Sequence, residues 1–195
     1  MNNQITKPVF HGSDIEKISA CYHIKKEDIV NFAGNVNPLG LPGSVKEAVA
    51  AHADLFSSYP DREYRSLCNV LSNYCDVPAD SILPGNGSSE LIALLIEARA
   101  PKHTLILGPT YSEYSRELTF SGSTQDYYHL QENHDFRPDL EDLFRTLSDG
   151  YDFLIICNPN NPTSSAIFQD EMKELLAFCK QKNIFVMIDE TYVEF

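Results

Sequence analysis

The sequence predicts an α/β fold in which a mostly parallel sheet is covered by helices. From residue 81 onward, short apolar runs typical of buried strands alternate with segments of helical periodicity, and this alternation is typical of parallel sheets. The chain has 195 residues, 43% hydrophobic and 22% charged, which is the balance of a globular domain with a sizeable core. We expect an N-terminal arm over residues 1–40 and a large domain over residues 41–195.

The individual elements follow from capping signals and from the spacing of apolar residues. Helices are expected to begin at Ser13-x-x-Glu16 and Ser44-x-x-Glu47, which are typical of capping boxes. Apolar residues three and four positions apart predict further helices around residues 63–74, 91–98, 111–121, 139–147 and 172–179. Short apolar runs predict strands at residues 81–84, 104–107, 125–130, 153–157 and 184–188.

Charge and cysteine content exclude several classes of function. The net charge of −13 argues against a nucleic-acid or anionic-membrane partner, since both select for clusters of Lys and Arg. The five cysteines are odd in number and form no C-x-x-C pair, so we expect reduced thiols rather than a disulfide framework or a zinc site. The six histidines are scattered, no signal peptide is evident, and no apolar run approaches the ~18 residues of a membrane span. These features predict a cytoplasmic protein without a metal.

Two polar motifs follow the last two predicted strands. The motif 158–163, Asn-Pro-Asn-Asn-Pro-Thr, places Asn161 between two prolines, and the motif 189–192, Asp-Glu-Thr-Tyr, begins with Asp189 and ends with Tyr192. Ligands of parallel sheets bind at the carboxyl ends of strands. An Asn, an Asp and a Tyr gathered there are suited to an aromatic ring with a protonated nitrogen, which the carboxylate would keep charged. The alternatives are an ordinary Asn-Pro connector and an Asp that caps a helix or binds Mg²⁺.

A glycine-rich segment and a tyrosine follow two earlier predicted strands. Residues 85–90, Gly-Asn-Gly-Ser-Ser-Glu, lead into a helix whose unpaired first N–H groups and dipole favour an anion such as a phosphate. A plain glycine turn with a serine cap is an equal alternative. The glutamate at position 90 disfavours a dinucleotide fingerprint, and no Walker lysine follows. Tyr111 is placed either to stack on a planar ligand or to pack in the core.

Taken together, these motifs resemble the cofactor pocket of fold-type I, class I/II aminotransferases, which use pyridoxal 5′-phosphate. The similarity in order and spacing runs from about Asn31 to the end of the chain. It implies that the large domain of that fold is present. The residues that carry the resemblance are Gly87, Ser88, Ser89, Tyr111, Asn161, Asp189 and Tyr192.

The resemblance also implies a role for each of these positions. The glycine and the two serines would hold the cofactor phosphate, while Asn161 and Tyr192 would hydrogen-bond the phenolic oxygen of its ring. Asp189 would pair with the pyridine nitrogen and Tyr111 would stack on the ring, which makes these two the catalytic residues. Tyr59, in a Tyr-Pro-Asp segment, would reach across a homodimer interface to the partner's cofactor phosphate.

Two members of the superfamily are similar in further segments. Residues 35–40 and 109–114 resemble threonine-phosphate decarboxylases of cobalamin biosynthesis, as does His11-Gly12-Ser13. Histidinol-phosphate aminotransferases are the alternative, because they share the Asn-Pro and Tyr-Pro-Asp elements. Either resemblance implies a phosphorylated amino acid or a related small molecule as substrate, with His11, Gly12 and Asn37 near its phosphate or carboxylate.

The resemblance covers nearly all of this chain but only about half of the family's length. The family's catalytic lysine follows the Asp-x-x-Tyr segment, and no lysine follows it here. The downstream arginines and the C-terminal small domain are likewise absent from this sequence. We therefore expect the N-terminal portion of a decarboxylase or aminotransferase. The alternatives are a non-catalytic protein that binds the cofactor or a phosphorylated ligand, and a nucleotide-binding α/β module.

Overall fold

A computed structural model of the chain describes residues 14–32 and 34–195. The chain divides by packing into two units, the first ending at Tyr64 and the second beginning at Arg65. The predicted boundary between an arm over 1–40 and a domain over 41–195 stays a prediction. The first unit contains helices α1 (Ile15–Tyr22) and α2 (Gly43–Ala51) and 3-10 turns at Lys26–Asp28 and Ala53–Ser57.

The two capping boxes predicted for the first unit are not the caps that the structure shows. Helix α1 is capped by Asp14, whose Oδ1 accepts the Lys17 backbone N–H at 3.1 Å. Ser13, the predicted cap, lies outside the described residues. Helix α2 begins at Gly43 after Pro42 and has no side-chain cap, so the prediction of a cap at Ser44 was wrong. The proline with its fixed φ starts this helix without a capping hydroxyl.

The second unit is a parallel sheet with helices on both faces, as predicted. Its helices are α3 (Arg65–Cys75), α4 (Ser88–Arg99), α5 (Glu113–Ser121), α6 (Leu140–Leu147) and α7 (Gln169–Lys182). Its strands are β1 (His103–Gly108), β2 (Thr124–His129), β3 (Phe153–Cys157) and β4 (Phe185–Asp189). All strand pairs are parallel, in the order β2-β1-β3-β4. Four predicted strands are thereby confirmed, with boundaries that differ by at most one residue.

The predicted strand at 81–84 was wrong. The segment Ala79–Ser81 forms a 3-10 turn instead, and residues 82–85 pair with no strand among the described residues. Leu83 is 68% exposed, and Pro84 has no N–H to donate to a neighbouring strand. A run of apolar residues alone did not distinguish this exposed segment from a buried strand.

The strand residues alternate between two apolar layers, one on each face of the sheet. Leu105 and Leu154 point to the face that is covered by α6 and α7, whereas Ile106 and Ile155 point to the face covered by α4 and α5. β1 and β3 are buried along almost their whole length because both faces are covered. Within the described part of the chain, no helix has the length and apolarity needed to cross a membrane.

Helix α4 runs antiparallel to the strands, so its last residue lies at the end of the sheet where the strands begin. Its last residue, Arg99, places its guanidinium 4.1 Å from the centre of the Phe185 ring at the start of β4. Ile92 and Ile96 pack in the same layer as the central strands. At 1.5 Å per residue its 12 residues span roughly 18 Å, about the length of a strand here. The N-terminus of α4 therefore lies towards the carboxyl edge of the sheet.

The amino edge of the sheet is closed by its own polar cluster. Asp126 accepts hydrogen bonds from the Tyr151 hydroxyl at 3.1 Å and pairs with His103 Nε2 at 2.7 Å. The carboxylate of Asp152 accepts the backbone N–H groups of Lys102 and His103 at 2.9 Å each. The Asp152 carboxylate thereby satisfies two backbone N–H groups at the start of β1, while Asp126 binds side chains.

Candidate functional site

The carboxyl ends of β1, β3 and β4 meet at one edge, and two side-chain hydrogen bonds join the loops that follow them. The Asn160 amide donates to the carbonyl oxygen of Pro109 at 2.9 Å, which ties the loop after β3 to the loop after β1. The Tyr114 hydroxyl donates to Asp189 Oδ2 at 2.6 Å, which ties α5 to the end of β4. The structure thereby places the segments that hold the predicted residues Tyr111, Asn161 and Asp189 along the same edge.

Asp189 ends β4, and three donors hold its carboxylate. Tyr114 binds Oδ2, while the backbone N–H and the hydroxyl of Thr191 bind Oδ1 at 3.0 and 2.6 Å. Each carboxylate oxygen has two lone pairs, so the two Thr191 donors use those of Oδ1, whereas Oδ2 can accept one more N–H. The predicted need for partners at this apolar edge is met within the chain, and acceptor capacity remains for a ligand.

Tyr114 is a site residue that the sequence analysis missed. Its side chain is 0% exposed, and its ring lies 5.6 Å from the Tyr111 ring at an angle of 83°, an edge-to-face contact. Burial and the hydrogen bond to Asp189 raise the pKa of the Tyr114 phenol far above its usual range, so the hydroxyl remains a donor. The sequence contained one indication of this role: Tyr114 is three residues after Tyr111, on the same face of the helix predicted over 111–121.

The three asparagines after β3 differ in what they bind. Asn158 bonds both the N–H and the carbonyl of Ile167, at 2.8 and 3.2 Å. Asn160 is 6% exposed and donates to Thr163 Oγ1 at 2.7 Å as well as to the loop after β1. The Asn161 side chain is partly exposed and makes no hydrogen bond to any residue that the structure describes. Asn158 and Asn160 therefore fix the loop, and Asn161 has a carboxamide available for a ligand.

The N-terminus of α4 has the features of an anion site. Gly87 is its N-cap with φ 89° and ψ 167°, and no side chain caps the helix, so the alternative of a serine cap is not what the structure shows. Within the described ranges, no acceptor takes the N–H groups of Gly87, Ser88 or Ser89. Glu90 instead accepts the N–H of Asn86 at 2.5 Å. Gly87, Ser88 and Ser89 are exposed, so the first amides and both serine hydroxyls are accessible. They lie at the positive end of the helix dipole.

The remaining residue predicted for this unit is Tyr192, three positions after Asp189. Its ring is half-buried and lies 6.2 Å from the Phe195 ring. Over residues 14–32 and 34–195, no three His, Cys, Asp or Glu side chains form a group that could hold a metal ion.

Four predicted residues lie elsewhere in the chain. Tyr59 belongs to the first unit and is 91% exposed. Asn37 belongs to the same unit, and its Oδ1 accepts the Leu39 N–H at 2.9 Å within a turn. His11 and Gly12 lie outside the described residues. The roles expected for these four residues stay predictions.

Known proteins are similar to this chain over most of its length. Residues 27–195 match the family described as aminotransferase class I and II. The chain is 33% identical over 186 residues to the threonine-phosphate decarboxylase of Salmonella typhimurium, covering 95% of this chain and 50% of that protein. It is 31% identical over 188 residues to the histidinol-phosphate aminotransferase of Methanococcoides burtonii, covering 94% of this chain and 51% of that protein.

A solved structure agrees with these relationships. The histidinol-phosphate aminotransferase of Clostridium acetobutylicum superposes with a TM-score of 0.74 at 33% identity, covering 83% of this chain and 47% of that one. The chain thus spans about half the length of the relatives it matches. The match extends over 169 residues (27 to 195), which is more than half of the chain. The chain therefore belongs to the class I and II aminotransferase family.

Proposed function

We propose that this chain forms the pyridoxal 5′-phosphate-binding part of an enzyme that acts on a phosphorylated amino acid. The observation that carries the proposal is the carboxylate of Asp189, held by three donors at the carboxyl edge of a parallel sheet. A carboxylate fixed in this way is a partner for a protonated ring nitrogen, which is the group that makes the pyridine ring an electron sink.

The residues present fit the parts of this cofactor. The free amides and serine hydroxyls from Gly87 to Ser89 suit its phosphate, and the helix dipole adds to the attraction. The carboxamide of Asn161, which no described residue engages, suits its phenolic oxygen. Tyr111, held edge-on by its neighbour, offers a ring face for stacking. Tyr192 is proposed as a second donor to the phenolic oxygen.

The bound cofactor supplies a sink for the electron pair released when a bond to the substrate's α-carbon breaks. The chain's own residues bind and orient. Asp189 holds a proton at the ring nitrogen, Tyr111 fixes the ring plane, and the α4 amides anchor the phosphate. These roles are the same for decarboxylation and for transamination, so these residues do not decide between the two reactions.

The substrate proposal comes from the relatives. Identity to the threonine-phosphate decarboxylase of Salmonella typhimurium over 95% of this chain supports decarboxylation of L-threonine O-3-phosphate, in cobalamin biosynthesis, as the first candidate. The TM-score of 0.74 to a histidinol-phosphate aminotransferase supports transamination of histidinol phosphate as the second. A dimer in the cytoplasm, with Tyr59 at the partner's cofactor and with His11, Gly12 and Asn37 near the substrate, is part of the same proposal.

The first experiment is a calorimetric titration of the 195-residue chain with pyridoxal 5′-phosphate. We expect saturable binding that Asp189→Asn weakens about 10- to 150-fold, the equivalent of one hydrogen bond between charged groups, or about 1.5–3 kcal/mol. The matched control is Asp126→Asn, which changes a carboxylate that also accepts a tyrosine hydroxyl but lies at the amino edge. Equal weakening by both variants would contradict the assignment of Asp189.

Turnover is then tested with each substrate separately. Release of CO₂ from O-phospho-L-threonine supports the decarboxylase, whereas amino transfer from histidinol phosphate to a 2-oxoacid supports the aminotransferase. Binding without turnover of either substrate favours a protein that holds the cofactor without catalysis. Saturable binding of a nucleotide in place of pyridoxal 5′-phosphate would favour the nucleotide-binding module instead.

A further inference from the structure

We propose that Tyr114 is a positioning residue for the ligand's ring, because this one buried side chain contacts both Asp189 and Tyr111. The inference rests on the proposed function and extends it to a residue that does not itself face the ligand. Through its hydroxyl Tyr114 fixes the partner of the ring nitrogen, and through its ring it fixes the residue proposed to stack on the ring face.

The hydroxyl fixes the rotation of the carboxylate. Thr191 holds Oδ1 of Asp189 with two donors, and Tyr114 is the donor to Oδ2 among the described residues. The terminal torsion of an aspartate has a broad, roughly two-fold profile, so a second anchor is needed to define the plane of the carboxylate. With both oxygens anchored, the remaining lone pair of Oδ2 has a fixed direction before any ligand binds.

The ring fixes the orientation of Tyr111. The two rings meet edge to face with centres 5.6 Å apart, a geometry that aromatic pairs prefer. The Tyr111 hydroxyl makes no hydrogen bond to any residue in the described ranges, so ring packing rather than a polar contact orients this side chain. A change at Tyr114 that keeps the ring should therefore preserve the position of Tyr111.

Burial makes Tyr114 a rigid anchor for both contacts. Its side chain is 0% exposed and packs with Ile92, Ile106 and Met187 in the layer between the sheet and α4–α5. Close packing leaves the ring no room to turn away. Burial and the adjacent carboxylate raise the pKa of the Tyr114 phenol far above its usual range, so the hydroxyl stays protonated and available as a donor to Asp189.

The test separates the hydroxyl from the ring by means of two probes. The unchanged chain and its variants are titrated with pyridoxal 5′-phosphate and with an analogue that has carbon in place of the ring nitrogen. Tyr114→Phe should weaken binding of pyridoxal 5′-phosphate about tenfold, the effect of losing one hydrogen bond to a charged group, and should leave the analogue's affinity unchanged. Tyr114→Leu removes the ring as well and should weaken binding of both probes.

The matched control is Tyr151→Phe, which removes a hydroxyl that donates to Asp126 at the opposite edge and should change neither affinity. A merely structural role of Tyr114 would weaken both probes equally in Tyr114→Phe, and that result overturns the inference, as does an unchanged affinity for pyridoxal 5′-phosphate. If the unchanged chain binds neither probe, the proposed function itself fails and this inference fails with it. That outcome is recognised before any variant is made.

Discussion

Substitution by alanine at two adjacent asparagines should affect different properties: stability at Asn160 and ligand binding at Asn161. Asn160→Ala removes a buried amide that donates to the Pro109 carbonyl at 2.9 Å and to Thr163 Oγ1 at 2.7 Å. Each bond contributes about 0.5–1.5 kcal/mol, so the loss of both should lower the free energy of unfolding by about 1–3 kcal/mol. Asn161→Ala removes a partly exposed amide that has no hydrogen-bond partner among the described residues, and should change the free energy of unfolding by less than about 0.5 kcal/mol.

Ligand binding should separate the two variants further. Asn161→Ala should weaken pyridoxal 5′-phosphate binding about 10- to 150-fold, because a hydrogen bond to a charged oxygen contributes about 1.5–3 kcal/mol. Urea denaturation measures the stability and calorimetric titration measures the dissociation constant, both on the 195-residue chain. Each variant serves as the control for the other, because chemistry and sequence position are nearly the same.

One combination of stability and binding results would refute these two assignments. If Asn161→Ala destabilises the fold as much as Asn160→Ala while binding stays unchanged, the assignment of one asparagine to the loop and the other to the ligand is refuted. If both variants keep their stability, the two hydrogen bonds of Asn160 do not contribute as their geometry indicates.

Three further predictions concern backbone strain, charge and packing. Gly87→Ala should lower the free energy of unfolding by about 1–3 kcal/mol, because the φ of 89° and ψ of 167° at this position suit only glycine. The same variant should also weaken phosphate binding. Gly150→Ala, with a φ of 96° before β3, should lower stability without affecting binding, and equal binding by both variants would argue against the phosphate site. The hydrogen bond with His103 lowers the pKa of Asp126, so its stabilising effect is present above about pH 4 and is lost as the pH falls through the lowered value. Asp126→Asn should therefore have a lower urea midpoint than the unchanged chain at pH 6, and this difference should shrink as the pH falls below about 4; a difference that stays constant with pH would contradict this. Leu154 is 0% exposed, so Leu154→Ala should lower the free energy of unfolding measured in urea by about 2–5 kcal/mol, with an unchanged dependence on urea concentration. A loss below about 1 kcal/mol would show that the core relaxes around the cavity.

The sheet could be predicted because its signal is local. Strands buried on both faces are unbroken apolar runs, and the runs at 104–107 and 153–157 are bounded by polar or turn residues. The run at 81–84 also contains adjacent apolar residues, but it pairs with no strand among the described residues, and pairing is a property of the whole fold. The same limit applies to Ser44, because a hydroxyl at the right spacing caps a helix only if the helix begins after it.

The candidate site was predictable only in part. Asp189 and Asn161 follow strands and carry polar side chains in apolar surroundings, so their positions are visible in the sequence. Asn160 and Tyr114 were missed because what distinguishes them is a contact across the fold, 51 and 75 residues away along the chain. A core tyrosine at the start of α5 was the alternative role predicted for Tyr111, and the structure places Tyr114 in that role.

The parallel order of the strands has a consequence for how the site forms during folding. Pairing of β1 with β3 joins segments about 50 residues apart, and Tyr114 reaches Asp189 only after β4 has joined as well. Such non-local pairings are slow because loop-closure entropy is lost before they form. The proposed phosphate site is formed by the N-terminus of α4 alone, whereas the residues proposed to hold the ring come together only when β1, β3 and β4 have paired. A ligand that binds the completed site therefore stabilises the whole second unit by mass action, and its effect on the melting temperature measures cooperative folding of the sheet.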